Sequence, residues 1–133
     1  MMKDIIELLK TKEFLNKCVS ASDDKISEAE NALSLHFSAE YNRYVSEFGF
    51  AVFENHDLTG ICMAKRLNVV DVTVFEREIN PDVPDDWYVI EQLNIDGIVI
   101  WQSSTGEIYQ TAPNCEPKKI CDSLAEYIGT DNN

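Results

Sequence analysis

The residues between Ser22 and Gly49 have the apolar spacing of two short helices in series. Apolar side chains recur three, four and seven positions apart in each half: Ile26, Ala29 and Leu33, then Tyr41, Tyr44, Val45 and Phe48. Ser22 and Ser38 precede the two patterns, and a serine oxygen there accepts from backbone N–H groups that the first turn leaves unpaired. Gly49 follows the second pattern, where glycine ends a helix at low conformational cost. The sequence therefore predicts helices that begin after Ser22 and Ser38, with the apolar side chains in the core.

Helical spacing also occurs near both ends of the chain. The first of these helices is predicted over residues 4–17, with Ile5, Leu8, Leu9 and Leu15 on one face. The second is predicted over residues 123–128, after Asp122 as its N-terminal cap. Residues 129–133 are expected to form a frayed tail.

The central part of the chain has the composition of strands separated by turns. Two strands, residues 50–53 and 58–63, flank the turn-like residues 54–57. Three more are predicted to form an antiparallel meander: residues 87–93, 98–101 and 107–110.

Residues 67–79 fit two patterns. Five β-prone side chains favour a strand: Val69, Val70, Val72, Val74 and Phe75. A helical stripe fits as well, with Asn68 as its cap: Val69, Val72, Phe75 and Ile79. Pro81 and Pro84 then end the element, because proline cannot donate to a helix or a sheet.

These elements together predict a single α+β domain over residues 1–133. Its central, mostly antiparallel sheet lies between N-terminal helices and a short C-terminal helix. A chain of 133 residues is long enough to bury a core without disulfides or metals.

The helix pair carries a resemblance to a known superfamily. Ten residues in the same order and spacing resemble the opening signature of the SUKH superfamily: Ile26, Glu30, Leu33, Phe37, Ser38, Glu40, Tyr41, Tyr44, Val45 and Gly49. The resemblance extends over residues 22–128, through short segments at 58–61, 85–90, 105–109 and 123–128. The chain departs from the pattern at Ser38, where the family often has proline, and at Gln102 and Ser103, where an aspartate is common.

The resemblance implies a fold and a class of function. It favours the helix over the strand for residues 67–79. The superfamily contains Syd-like and Knr-like proteins and many bacterial immunity proteins. A member is expected to bind another protein rather than to catalyse a reaction.

The charge of the chain is strongly acidic and unevenly distributed. The net charge is −13, and residues 67–117 contain ten acids and a single base, Arg77. Such a field repels phosphate backbones and anionic lipid, so binding to nucleic acid or to a membrane is disfavoured. A basic protein would be attracted and its docking accelerated. Acidity that only maintains solubility is the plainer alternative.

Signatures of catalysis, of a metal site and of a cofactor site are missing from the sequence. It contains no GxSxG, GxGxxG, HExxH or phosphate-binding glycine loop, and no CxxC pair. His56 and Cys62 are a combinatorial nucleophile–base pair, but their spacing does not bring a thiol beside a base. The four cysteines are expected to be reduced, structural thiols. We therefore expect no enzyme activity, no metal and no cofactor.

A recognition surface remains as the candidate site. Asp82, Asp85 and Asp86 lie in a loop that its prolines restrain, and restraint lowers the entropy lost on docking. Trp87 follows and either anchors a partner or fills the core, and the core is favoured because single large aromatics are mostly packing residues. Trp101 poses the same choice. Glu91 and Asp96 are expected to be solvated charges at the sheet that extend the acidic patch.

The function expected is that of a non-enzymatic bacterial immunity protein, which neutralises a cognate toxin through an acidic surface. A nuclease is one candidate for this toxin. The alternative is a housekeeping adaptor of secretion or cell-wall machinery with the same fold. The partner is then a basic protein toxin rather than nucleic acid or membrane, and the oligomeric state is open. The N-terminal residues lack a secretory apolar core, so a cytoplasmic location is expected.

Overall fold

The computed structural model describes residues 4–129, so the N-terminal methionines, Lys3 and the predicted tail beyond residue 129 lie outside it. Five α-helices are present among the described residues: α1 (Ile5–Leu9), α2 (Asp23–Leu33), α3 (Ala39–Phe48), α4 (Val69–Ile79) and α5 (Leu124–Gly129). Six strands accompany them: β1 (Ala51–Phe53), β2 (His56–Leu58), β3 (Tyr88–Gln92), β4 (Val99–Gln102), β5 (Ile108–Thr111) and β6 (Lys118–Cys121). The α+β class is confirmed.

Strands β3 to β6 form a four-stranded antiparallel meander in chain order, and β1 and β2 form a separate hairpin. The first three strands of the meander are those predicted, whereas β6 was not. Its sequence begins with two exposed lysines, which is common on edge strands because charge discourages pairing with another chain.

Helices α2 and α3 begin where the serines predict. The Ser22 hydroxyl accepts from the Lys25 N–H at 3.3 Å, and the Ser38 hydroxyl accepts from the Tyr41 N–H at 3.0 Å. Their predicted apolar faces are buried. Gly49 ends α3 at φ +74°, a conformation that favours glycine.

Helix α1 is much shorter than predicted. It ends at Leu9, and after a turn Phe14 forms an isolated antiparallel bridge with Phe53 of β1. The Asn16 side chain accepts from the Val52 N–H at 2.7 Å and donates to the Phe50 carbonyl at 3.2 Å. These bonds to a distant strand replace the helix, and they leave Leu15 78% exposed instead of on the apolar face.

The hairpin is also shifted from its prediction. His56 and Asp57 belong to β2 rather than to the turn. Residues 60–63 do not continue the strand, because Gly60 instead exchanges backbone hydrogen bonds with Leu67 and Val69.

The ambiguous segment is a helix, α4, and Asn68 caps it by accepting from the Val70 N–H at 2.9 Å. The predicted apolar stripe is wrong in its second half, because Phe75 and Ile79 are 56% and 60% exposed. The polar residues Thr73 and Glu76 are buried in their place. Thr73 Oγ1 accepts from the Val89 N–H at 3.0 Å, and Glu76 accepts from Gln92 at 2.6 Å. Bonds to β3 therefore set the rotation of the helix.

The sheet is packed on both sides. One side joins the main core, where Tyr88, Ile90, Ile100 and Ile108 meet the helices α1, α2, α3 and α5. The other side carries a smaller cluster of Val72, Trp87, Val89, Val99 and Trp101. Both tryptophans are buried, which confirms their expected place in the core.

Helix α5 is capped differently from the prediction. Ser123 rather than Asp122 accepts from the first turn, at the Glu126 N–H. The carboxylate of Glu40, from α3, accepts from the N–H groups of Leu124 and Ala125 at 2.6 and 2.9 Å. A side chain 84 residues away in sequence thus holds the last helix against the domain.

Candidate protein-binding site

A groove of about 560 Å³ lies between three loops. These are the loop after α4, the turn between β3 and β4, and the loop between β5 and β6. We call it the acidic groove, and its walls are Ile79, Asn80, Pro81, Asp82, Val83, Gly97, Thr111, Ala112, Pro113, Asn114, Cys115, Glu116 and Pro117.

Carboxylates surround this groove. Asp82 and Glu116 are exposed on its walls, and Asp96 is exposed beside Gly97. Asp96 and Gly97 have φ values of +54° and +69°, which make the turn tight. A Cβ on Gly97 would lie 2.8 Å from the ring of Pro113, so the turn packs closely against the opposite loop. Two of the predicted acids, Asp82 and Asp96, therefore lie at one groove.

The loop between α4 and β3 is held by Arg77. Its guanidinium donates to the backbone carbonyls of Asp85 at 2.9 Å, Trp87 at 3.4 Å and Leu33 at 3.5 Å. The base therefore binds backbone rather than carboxylates. Within residues 4–129, no ion pair engages Asp82, Asp85 or Asp96.

Asp86 has a structural role that the sequence did not indicate. Its carboxylate accepts from the Ser104 N–H at 3.2 Å and from the Ser104 hydroxyl at 2.8 Å. The side chain is half-buried and ties the loop to the turn between β4 and β5. Asp85 beside it is exposed.

Two other predicted site residues are buried. Trp87 is 6% exposed and stacks on Tyr109, with ring centroids 4.1 Å apart. Glu91 is 2% exposed, so the expectation that it is a solvated charge was wrong. A bulge in β3 gives β3 one extra residue between Val89 and Glu91, and Glu91 then pairs with the core residue Ile100.

The Glu91 carboxylate is bound inside the protein. It accepts from the Asp57 N–H and from the Tyr127 hydroxyl, both at 2.7 Å, and lies 2.9 Å from His56 Nδ1. It thereby joins β2, β3 and α5. Neither Trp87 nor Glu91 offers a surface to a partner.

Residues 2–129 match a family model described as SUKH_5, SMI1-KNR4 cell-wall. The chain belongs to the SUKH superfamily. No curated protein matches it significantly.

The residues of the opening SUKH signature build the domain rather than the groove. Glu30 accepts from the Phe37 N–H at 2.9 Å and closes the turn between α2 and α3. Tyr41 and Thr59 share a hydrogen bond of 2.9 Å, and Tyr44 donates to the Thr59 carbonyl at 2.6 Å. Burial raises the pKa of Tyr41 and Tyr44 well above the ordinary value and keeps both hydroxyls neutral. This polar framework fixes the hairpin and β3 against α3.

The nucleophile–base pair considered from the sequence is not assembled in this SUKH domain. His56 is engaged with Glu91, and the Cys62 thiol donates to the Ala64 carbonyl at 3.5 Å. Burial raises the pKa of the Cys62 thiol and so disfavours the reactive thiolate. All four cysteines are free thiols, in line with the expectation from their spacing.

Residues 4–129 provide neither a place for a metal ion nor a membrane-spanning helix. No group of three or more His, Cys, Asp or Glu side chains there is arranged to hold a metal ion. None of the helices in that range has the length and apolar character needed to cross a bilayer.

The loop between β5 and β6 is the part of the groove that the sequence did not reveal. It contributes Cys115 and Glu116 between Pro113 and Pro117. The two prolines were a usable signal, because proline-flanked loops are restrained in the same way as the loop at Pro81 and Pro84.

Proposed function

We propose that this SUKH protein is a non-enzymatic immunity protein that neutralises a cognate protein toxin through the acidic groove. The observation that carries the proposal is the set of exposed carboxylates around that groove. Asp82 and Glu116 lie on its walls, Asp96 lies beside the wall residue Gly97, and the exposed Asp85 follows the wall residue Val83 by two positions.

The electrostatics of the groove favour a basic protein as partner. Arg77 is the only base in residues 67–117, and it is turned toward backbone carbonyls. Lys118 is exposed directly after the wall residue Pro117, and the exposed carboxylates at the groove outnumber it, so a basic surface approaching the groove meets mainly negative charge. Steering of this kind raises association rates by roughly 10-fold to 1000-fold and is screened by salt.

A toxin that acts on nucleic acid has the required chemistry. Its substrate surface is basic, because it must hold a phosphate backbone. An acidic protein that covers such a surface takes the place of the phosphates and blocks access of the substrate. The restrained loops lower the entropy lost when the groove docks.

The description of the matching family favours a second candidate. It names the cell wall, which suits an adaptor or regulator of cell-wall machinery. Such an adaptor would bind a host component whether or not any toxin is present.

Affinity capture of the tagged full chain from its own cells at low salt tests the proposal. We expect a stoichiometric basic protein that raised salt releases. The variant Asp82→Asn/Asp85→Asn/Asp96→Asn should capture much less of it, because these carboxylates are exposed and hold no other element. Asp86 is left intact because it binds Ser104.

A charge-matched variant controls for the loss of net charge. Glu13→Gln/Asp24→Asn/Glu47→Gln also removes three exposed carboxylates, on other parts of the surface. Capture by this control should stay close to that of the native chain. A cell-wall component in place of a toxin would support the adaptor, and equal loss in both variants would contradict a role for the groove.

A further inference from the structure

The outward face of α4 is apolar in a way that the fold does not use. Val74, Phe75 and Ile79 are 47%, 56% and 60% exposed. Val74 and Phe75 lie on either side of the outward face, and Ile79 lies at its edge, seven positions after the buried Val72. Phe75 and Ile79 are four positions apart and therefore neighbours on the helix surface. Contiguous exposed apolar side chains of this size mark interaction sites more often than isolated ones do.

Two acids divide this apolar face along its length. Asp71 and Glu78 are exposed and seven positions apart, so they lie one above the other two turns apart. Helical geometry places them between Val74 on one side and Phe75 with Ile79 on the other. The face therefore presents a line of negative charge flanked by apolar side chains.

Helix α4 contributes one wall residue to each of two grooves. Ile79 is a wall of the acidic groove, and Val70, one turn before Val74, is a wall of a second groove of about 720 Å³. The second groove is lined by residues 19–22, by Phe50, by residues 61–63, by Asn68 and by the α2 residues Lys25, Glu28, Ala29 and Ala32. Because Val70 and Ile79 are nine positions apart, they lie on opposite sides of α4, and a segment along Phe75 and Ile79 reaches only the acidic groove, at Ile79. That groove can receive a large side chain of the segment, the arrangement in which interface hot spots occur.

We infer that the outward face of α4 binds an amphipathic segment of the partner protein that carries both basic and large apolar side chains. The inference rests on the proposed function and specifies the contact surface and the kind of segment bound. Basic side chains of the segment pair with Asp71 and Glu78, while its apolar side chains cover Phe75 and Ile79.

Charge decides between this occupant and the alternatives. In a symmetric pair of identical chains the same patch faces itself. Asp71 and Glu78 would then oppose their own copies, and like charges at an interface are costly. Anionic lipid is repelled for the same reason. A basic amphipathic protein segment satisfies the apolar and the acidic side chains at once.

Titration of the isotope-labelled full chain with model peptides, followed by amide NMR shifts, tests the inference. The probe is an amphipathic Leu/Lys helix of about 18 residues, long enough to be helical when bound. A scrambled peptide of the same composition and a Leu/Glu helix are the peptide controls. We expect shifts centred on residues 70–82 with the Leu/Lys helix and much weaker binding of both controls.

Variants then assign the contact. Phe75→Ala/Ile79→Ala should weaken binding of the Leu/Lys helix about 10-fold or more, without loss of folding because both side chains are exposed. Asp71→Asn/Glu78→Gln should weaken it at low salt and remove most of its salt dependence. Leu15→Ala, which changes another exposed apolar residue, should leave the affinity unchanged.

Each contrary result overturns the inference in a distinct way. Shifts centred elsewhere, affinity unchanged in Phe75→Ala/Ile79→Ala, or no binding would exclude this face. Concentration-dependent dimers of the native chain that Phe75→Ala/Ile79→Ala abolishes would identify a second copy as the occupant.

If capture of the cellular partner persists in Phe75→Ala/Ile79→Ala but fails in Asp82→Asn/Asp85→Asn/Asp96→Asn, the inference is wrong and the proposed function stands. If the native chain captures no basic protein, the proposed function itself fails.

Discussion

Residues 22–60 and residues 67–117 contain polar side chains with two opposite roles, although Glu76, Asp86 and Glu91 in the second region also bond inside the domain. In the first region, which contains the family signature, Glu30, Glu40, Tyr41 and Tyr44 all bond to groups inside the domain. In the second region, Asp82, Asp85 and Asp96 face solvent without an ion pair among residues 4–129. The apolar residues differ too, since α3 buries its stripe and α4 exposes half of its own.

This difference separates the residues that build the SUKH scaffold from the exposed residues that we expect to contact a partner. Residues that hold the scaffold also serve other members with other partners, because a fold does not dictate function. Partner choice is then expected at exposed positions outside the opening signature, on α4 and at the acidic groove. Substitutions of residues that bond or pack inside the scaffold, such as Glu40 and Gly60, should change stability. Substitutions of exposed residues on α4 and at the acidic groove should change binding.

The strongest effect is expected at Gly60. A Cβ there would lie 1.9 Å from the Gly49 carbonyl oxygen, so backbone must move to admit it. We expect Gly60→Ala to lower the free energy of unfolding by more than about 4 kcal/mol, measured by urea denaturation. Gly129→Ala is the control, because nothing lies within 4 Å of its added Cβ. Equal stability of the two variants would contradict the assignment of Gly60 to the scaffold.

A smaller loss of stability is expected at Glu40. Its carboxylate accepts from Gln102 at 2.9 Å as well as from the first turn of α5. Glu40→Ala leaves these donors unpaired and should cost about 2–3 kcal/mol in urea denaturation. Glu47→Ala, at an exposed position of the same helix, should cost less than about 0.5 kcal/mol. Similar values for the two would mean that Glu40 is not a cap.

The buried tyrosines predict instability at alkaline pH. Burial raises the pKa of Tyr41, Tyr44 and Tyr88 above the ordinary value of 10.0. The unfolded chain therefore loses these protons first as the pH rises. Their contribution to stability is complete below pH about 10 and is lost above it. Tyrosinate absorbance should then rise together with unfolding, and independent titration of all five tyrosines in the folded state would contradict this account.

Substitution of the exposed apolar residues of α4 should hardly change the stability of the fold. Phe75→Ala/Ile79→Ala removes two exposed side chains and introduces the best helix former. We expect a change of less than about 0.5 kcal/mol in the free energy of unfolding. A loss of several kcal/mol would mean that these residues pack in the domain, and α4 would then belong with the scaffold.

Alkylation of the native cysteines can probe the acidic groove without any substitution in the chain. Burial raises the pKa of Cys18 and Cys62, and it raises that of Cys121 to about 11. Cys115 is exposed on the wall of the acidic groove. A brief alkylation pulse analysed by mass spectrometry should therefore label Cys115 first. The captured partner should protect Cys115, and unchanged labelling in the complex would place the interface elsewhere.

Local signals made the helix pair predictable. The caps at Ser22 and Ser38 and the apolar spacing lie within a few residues of the turns that they define. The elements that were missed depend on distant contacts. Helix α1 ends early because Asn16 bonds to residues 34 and 36 positions away.

Dependence on distant contacts also explains the wrong predictions at the candidate site. Glu91 is buried by a bulge and by contacts with β2 and α5, and none of these is visible in its neighbours along the chain. The rotation of α4 depends on Gln92 and Val89 in β3. Asp82, Asp85 and Asp96 were found as exposed acids because charge and turn chemistry are local properties.

The most direct test of the central claim is the association rate of the captured partner with the purified full chain, measured across a range of salt concentrations. We predict that the rate for the native chain falls roughly 10-fold or more as salt is raised. The rate for Asp82→Asn/Asp85→Asn/Asp96→Asn should be low and nearly independent of salt. The control Glu13→Gln/Asp24→Asn/Glu47→Gln should behave like the native chain. Identical salt dependence in all three proteins would contradict the claim that the acidic groove selects the partner.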